Sequence, residues 1–250
     1  MGITEELLQV IPQGEVVDVL IGLHWTMVEV EAGGSRSCGL ASTLSEPHGH
    51  GRGPDVPQAG ALCEMPAKEL AAMAASEMPA LTSVGVATIN ALLPKDPTVW
   101  QSLNAEDVIT DQGAGKSVTI VGSFPFIPRV REKVGELYVL ERQPRSDLEL
   151  PESAAPEVIP LSDVVAITSM TFINHSLEDL LRLCRPDALV LLMGPSTPLS
   201  PIMFSHGVDL LSGSIVENVR GVKRSVREGG TFRQIHQAGV RLVTVNKTDF

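Results

Sequence analysis

The chain has 250 residues, of which 43% are hydrophobic and only 4% aromatic, and its 30 acidic and 19 basic side chains give a net charge of −11. That length allows one large domain or two modest ones with a real core, and the shortage of aromatics means the core is built from Val, Leu, Ile, Ala and Met. The acidic balance argues against nucleic acid or an anionic membrane as partner, since both reward basic patches; it is compatible with a cation as cargo.

Residues 1–13 are acidic and helical in pattern, unlike a signal peptide, and no run of about 18 apolar residues suits a membrane helix. Cys38, Cys63 and Cys184 are too few and too unevenly spaced for a disulfide framework. A cytoplasmic, reduced protein is expected. Thr4, Glu5 and Glu6 ahead of Leu7, Leu8 and Ile11 mark a first helix with its acids at the positive end. Residues 16–21, 26–31 and 37–42 read as short strands of an antiparallel meander, with Gly22, Gly33 and Gly34 at turns. The Gly/Pro-rich stretch 44–60 is loop chemistry. Two helices follow, one opening at Pro66 and closed by Pro79, the other spanning about 81–93 before Pro94. Residues 1–100 are therefore predicted to form a small α+β unit.

From residue 117 the pattern changes. Apolar runs at 117–122, 137–142, 163–168, 188–194, 210–216 and 240–245 alternate with helical patterns at 126–134, 176–184 and 218–228. That alternation signals a mostly parallel sheet covered on both faces. The proline-rich segment 143–160 lacks a helical period, so one crossover is expected to be extended. The chain is thus of the α/β class: the small α+β unit is followed by a Rossmann-like domain over 101–250.

In such a sheet, ligands bind beyond the carboxyl ends of the strands. The loop at Gly122 holds one of the three glycines of a dinucleotide fingerprint, and Pro125 deletes an amide, so neither NAD nor FAD is expected. Glu141, at the end of the next run, either is solvated or holds a ribose, as in adenosyl-binding folds. Residues 113–117 resemble the end of a phosphate loop, but Thr110 occupies the first glycine position and the motif precedes its strand instead of following it. After the third run, Thr168, Asn174 and His175 have hydrogen-bonding capacity to spare, while Ser176 and Asp179 read as a capping box. The strongest loop is Gly194-Pro195-Ser196-Thr197-Pro198-Leu199-Ser200-Pro201, where prolines stiffen a turn rich in hydroxyls. It lacks G-x-S-x-G, and no His is positioned beside Ser196 by sequence. His24, Trp25 and Thr26 sit at a hairpin turn that does not need them. Ser83, Ala87 and Asn90 share a small, polar helix face, suited to close packing or to Asn90 reaching the other domain. His48 and His50, flanked by Cys38 and Cys63, are spaced too loosely for a zinc pair.

Residues 194–201 with Phe204, Gly207-Val208-Asp209 and Ser212-Gly213 carry a resemblance to a known family. So do Gly122-x-Phe124-Pro125-Phe126, Thr168 with Asn174, Gly22-Leu23-His24-Trp25-Thr26 and Asn90-Ala91-Leu92. Over nearly its whole length the chain resembles a two-domain family linked with heavy-metal chelation. The resemblance implies an enolase-amino-terminal-like domain joined to a Rossmann-like domain, with a site between them. It also implies a role in metal chelation, or in making or breaking a small chelator such as a siderophore or pterin-like compound. The His48/His50 loop is no part of the pattern. The expected ligand is a small polar molecule oriented by Ser196, Thr197 and Asn174. Trp25, Thr26, Asn90, Phe124, Glu141, Thr168, Gly194 and Pro195 would line its site. His24 is the one obvious general base at neutral pH, paired in a catalytic role with Ser196. Two alternatives stand beside this: a metal-binding or delivery protein holding a divalent ion, and an S-adenosylmethionine-using transferase. A homodimer is compatible with any of them.

Overall fold

The structure, a computed structural model, describes residues 1–45 and 53–249. Helix α1 (Ile3–Val10) buries Ile3 and Leu7, and Glu5 reaches back to accept from the Gly2 amide (3.2 Å). It leads into an antiparallel sheet of β1 (Glu15–Ile21), β2 (Trp25–Ala32) and β3 (Ser35–Ser42), in that spatial order. Helices α2 (Ala67–Ala72) and α3 (Pro79–Leu92) follow. Pro79 does not close the earlier helix as expected; it opens α3, where its missing N–H is one the first turn leaves unpaired anyway. Every residue of α3 except Pro79 and Asn90 is buried, because the helix lies between its own sheet and the second half of the chain.

That half begins with α4 (Ala105–Gly113) and continues β4 (Ser117–Val121), α5 (Ile127–Arg131), β5 (Glu136–Glu141), β6 (Leu150–Pro151) and α6 (Ala155–Val158). Next come β7 (Val164–Thr168), α7 (Met170–Ile173), α8 (Leu177–Leu183), β8 (Leu189–Met193) and α9 (Ile202–Ser205). The chain finishes with β9 (Leu210–Val216), α10 (Val219–Arg227), α11 (Phe232–Gly239) and β10 (Val240–Asn246). The seven strands lie in the order β10-β9-β8-β7-β4-β5-β6, all parallel except β10, which runs antiparallel to β9. Successive strands therefore leave the β4/β7 pair in opposite directions. That pair is the switch point of a doubly wound sheet.

The α/β assignment, with a small antiparallel sheet and a large, mostly parallel one, holds. Segment 143–160 departs from expectation: it supplies the edge strand β6 and then a short helical run that includes α6. Helices α4 and α11 have no counterpart in the sequence reading. The inward face of α4 is Ile109, Thr110 and Gly113, and α11 fully buries only Ile235, so neither shows a long apolar stripe. No described helix is long and apolar enough to cross a membrane.

The two halves share an extensive seam. Trp25, Met27, Cys38 and Leu40 pack against Val222, Val226, Ile235 and Val240. At its rim, Lys223 Nζ lies 2.9 Å from both Asp18 and Glu29 carboxylates.

Candidate ligand crevice

A cavity of about 300 Å³ opens at the switch point. Its floor begins at Gly122, the residue after β4, which has φ +105° and donates its N–H to the Leu140 carbonyl (2.8 Å). An added Cβ would stand 3.0 Å from the Thr168 side chain, so the turn requires glycine both for its backbone and for this approach. On one side Glu141 ends β5 and accepts from the Arg142 amide through Oε2 (3.1 Å). Arg142 is in turn paired with Glu152 (3.4 Å). On the other side Thr168 ends β7, and Asn174 Oδ1 accepts from both the amide (3.1 Å) and the hydroxyl (2.7 Å) of Ser176. The Ser176 hydroxyl is thereby spent on Asn174 and makes no cap for α8, so the expected capping box does not form. His175 between them adopts φ +62°, uncommon for a non-glycine residue, and its Nε2 lies 2.8 Å from the Ser76 carbonyl. The apolar wall is Leu140, Met170, Leu180 and, from the first half of the chain, Leu44.

Among the described residues, Glu141 has no ion-pair partner and the side-chain Nδ2 of Asn174 has no hydrogen bond, its backbone N–H being taken by the Met170 carbonyl (3.0 Å). The crevice therefore offers a carboxylate acceptor and an amide donor to whatever enters it.

The proline-rich loop after β8 has a different fate. Gly194 has φ +128° and its N–H donates to the Ser212 carbonyl (2.9 Å). The Pro195 carbonyl accepts from the Ser214 hydroxyl (2.9 Å). Ser196 is 0% exposed. Its Oγ accepts from the Ser42 amide (2.8 Å) at the end of β3, and its carbonyl accepts from Asn90 Nδ2 (3.1 Å). Asn90 also donates to the Leu40 carbonyl (3.0 Å), so one side chain ties α3, β3 and the loop together. Thr197 is buried, and its Oγ1 finds no partner among the described residues. It borders a recess of about 10 Å³ shared with Asn90, Lys95 and Trp100, room for one water at most. Lys95, exposed as a residue, turns its ammonium onto the Asn90 carbonyl, where desolvation pushes its pKa down to about 8. The residues grouped by sequence into one site are thus separated. Glu141, Thr168 and Asn174 gather at the crevice; Asn90, Gly194, Pro195, Ser196 and Thr197 gather at the seam.

Comparison with known proteins places this geometry in a family. The family described as "Putative heavy-metal chelation" (DUF364) matches residues 104–245, and a second of the same description (DUF4213) matches residues 4–93. The chain belongs to this family. A crystal structure of a DUF364 protein of unknown function from Desulfitobacterium hafniense is similar with a TM-score of 0.82 and 26% identity, covering 98% of each chain. A second, from Pyrococcus horikoshii, has a TM-score of 0.80 at 22% identity, again over 98% of each chain, and speaks for the fold alone. An uncharacterised protein of Methanocaldococcus jannaschii is 26% identical over 196 residues, 76% of this chain and 74% of its own length.

For a heavy-metal chelation family the question is which groups here could hold an ion. Among the described residues no three His, Cys, Asp or Glu side chains converge on one point. Cys38 is buried, and desolvation, reinforced by Glu29, pushes its thiol up to about 12, so the thiolate that a metal needs is disfavoured. His48 and His50 lie outside the described residues.

The remaining sequence candidates are placed elsewhere. His24 is exposed on the β1–β2 turn, its side chain unpartnered among the described residues and its carbonyl accepting from the Thr43 amide (2.9 Å). Trp25 packs in the seam beside Phe232 (centroids 5.9 Å), and the Thr26 and Thr43 hydroxyls pair at 3.0 Å. Phe124 stacks on Phe126 (5.1 Å) against the core beneath α4. None of these four lines the crevice. Conversely, Arg142 and Glu152 line it and were missed. Arg142 adjoins Glu141 and was within reach of the strand-end rule, whereas Glu152 arrives only because the unforeseen β6 pairs with β5.

Proposed function

We propose that this member of the heavy-metal chelation family binds a small polar organic molecule, a chelator or its precursor, in the crevice at the ends of β4, β5 and β7. On this reading metal is handled through that molecule and not through a set of protein ligands. The observation that carries it is the open cavity at the switch point, where Glu141 and Asn174 retain hydrogen-bonding capacity. The hydroxyls of the proline loop are buried in the seam. A small ligand placed there would rest on Leu140 and Met170 and be oriented by Thr168 and Asn174. Glu141 is the crevice carboxylate free of an ion pair among the described residues, so it is the group to receive a proton that the ligand gives up.

The experiment is calorimetric titration of the purified protein with 2,3-dihydroxybenzoate and neopterin, each with and without ferric or zinc ion, preceded by native mass spectrometry for a co-purified molecule. Binding of at least one probe is expected, with Thr168→Val and Asn174→Ala each weakening it about tenfold, the effect of one lost hydrogen bond of ordinary strength. Binding that ignores both substitutions, or that depends on His24 instead, contradicts the assignment.

A further inference from the structure

Resting on the crevice reading, we infer that the molecule held there carries a ribonucleoside whose ribose hydroxyls donate to Glu141, and that it carries no diphosphate. Leu140 supplies the carbonyl that takes the Gly122 amide (2.8 Å), so the next residue, Glu141, stands directly beside the turn that follows β4. In doubly wound sheets that is the position from which an acidic side chain reaches a ribose laid across the switch point. The chemistry agrees. An ionised carboxylate only accepts; Oε2 already takes the Arg142 amide, while Oε1 has no partner among the described residues. Oε1 is free among these residues and Oε2 can accept a second donor, and a vicinal diol brings two donors at the right separation. The flat base would lie on Leu44, Leu140, Met170 and Leu180.

A diphosphate is disfavoured by the same surroundings. Pro125 removes one amide from the turn, and α5 behind it is only five residues long, too short to present a strong positive end. Among the described residues the cation lining the crevice is Arg142, which is exposed and paired with Glu152 (3.4 Å). The volume of about 300 Å³ lies at the small end of ligand pockets, suited to one nucleoside and not to a dinucleotide.

The test is calorimetry of the full-length protein with adenosine, guanosine, cytidine and uridine, with the 2′-deoxy and 3′-deoxy forms of whichever binds, and with NAD. At least one ribonucleoside should bind, and NAD no more tightly. Removing a ribose hydroxyl, or introducing Glu141→Gln, should each weaken binding about tenfold or more. In Glu141→Gln, the ribo and deoxy forms should bind nearly alike, because the partner of the hydroxyl has been blunted. A nucleoside that binds equally well without its hydroxyls, or equally well to Glu141→Gln, overturns the inference. Silence from every nucleoside overturns it too. If 2,3-dihydroxybenzoate or neopterin then still binds in a Thr168- and Asn174-dependent way, the crevice reading survives without the nucleoside.

Discussion

The loop after β8 and the crevice beside β4 and β7 start from the same place in the fold, the carboxyl ends of parallel strands, and both are rich in hydrogen-bonding side chains. They differ in what lies above them. The amino-terminal half of the chain settles over the loop, and Ser196 and Asn90 exchange hydrogen bonds with the backbone of β3. Among the described residues it contributes only Leu44 to the wall of the crevice, and there Glu141 and Asn174 keep free capacity. Strand ends mark where a site can be; the neighbouring layer decides where one is left. Hydroxyls on a proline-stiffened turn serve equally well to grip a ligand or to fasten two halves of a protein, and here the second use prevails.

The contrast can be broken most forcefully at Gly194. Alanine there would put Cβ 2.5 Å from Ser169 Oγ at φ +128°. Strain of this kind costs roughly 2–4 kcal/mol, to be read as a large drop in the urea midpoint. A variant as stable as the wild type would mean that the loop is pliable and not a fixed fastener. Next comes Asn90→Ala, which strips two buried carbonyls, those of Leu40 and Ser196, of their donor. A loss of roughly 2 kcal/mol is expected, with crevice affinity unchanged within about twofold, because the seam and the crevice are separate. Loss of ligand binding with stability intact would merge the two regions into one site.

A smaller effect separates them by pH. Burial raises the Cys38 thiol in the seam from 9.0 to about 12. The folded protein thus keeps a proton that the unfolded chain releases above pH 9. The stability Cys38 contributes is fully present below pH 9 and is lost as pH rises toward 12. Lys95, pushed from 10.5 down to about 8, works in the opposite sense, adding stability as pH rises between those values. Lys95 is an exposed residue, so its share is the lesser one. Urea unfolding at pH 8, 9, 10 and 11 should show a shallower alkaline decline in Cys38→Ala than in the wild type. Identical slopes would mean that the thiol is better solvated than its burial implies.

Much of this was legible in the sequence, for reasons that also explain what was not. The strands of the large sheet are buried on both faces and so read as apolar runs; β4, β7 and β8 stand within a residue or two of those runs. Glu141, Thr168 and Asn174 followed from the strand-end rule alone. Helices α4 and α11 were silent because their buried faces are short and partly polar. Pro79 is ambiguous in sequence because a proline between two helical patterns can close the first helix or open the second. Edge strand β6 has only two residues, and without it nothing in the sequence brings Glu152 toward Glu141. The merging of seam and crevice had a deeper cause. The fastening role of Ser196 and Asn90 depends on hydrogen bonds to residues 154 and 50 positions away, and no local pattern records such a contact.

The measurement that bears most directly on the division between these regions is a paired one, thermal unfolding and calorimetric titration on Ser196→Ala and Glu141→Gln. Ser196→Ala should lose about 1 kcal/mol of stability, the cost of leaving the part-buried Ser42 amide without its acceptor, and bind the crevice ligand as the wild type does. Glu141→Gln, a change at a partly exposed strand end, should keep its stability within about 0.5 kcal/mol and lose affinity. The reverse pattern, with Ser196→Ala stable but unable to bind and Glu141→Gln binding normally, would return the site to the loop after β8 and contradict the reading of that loop as a fastener.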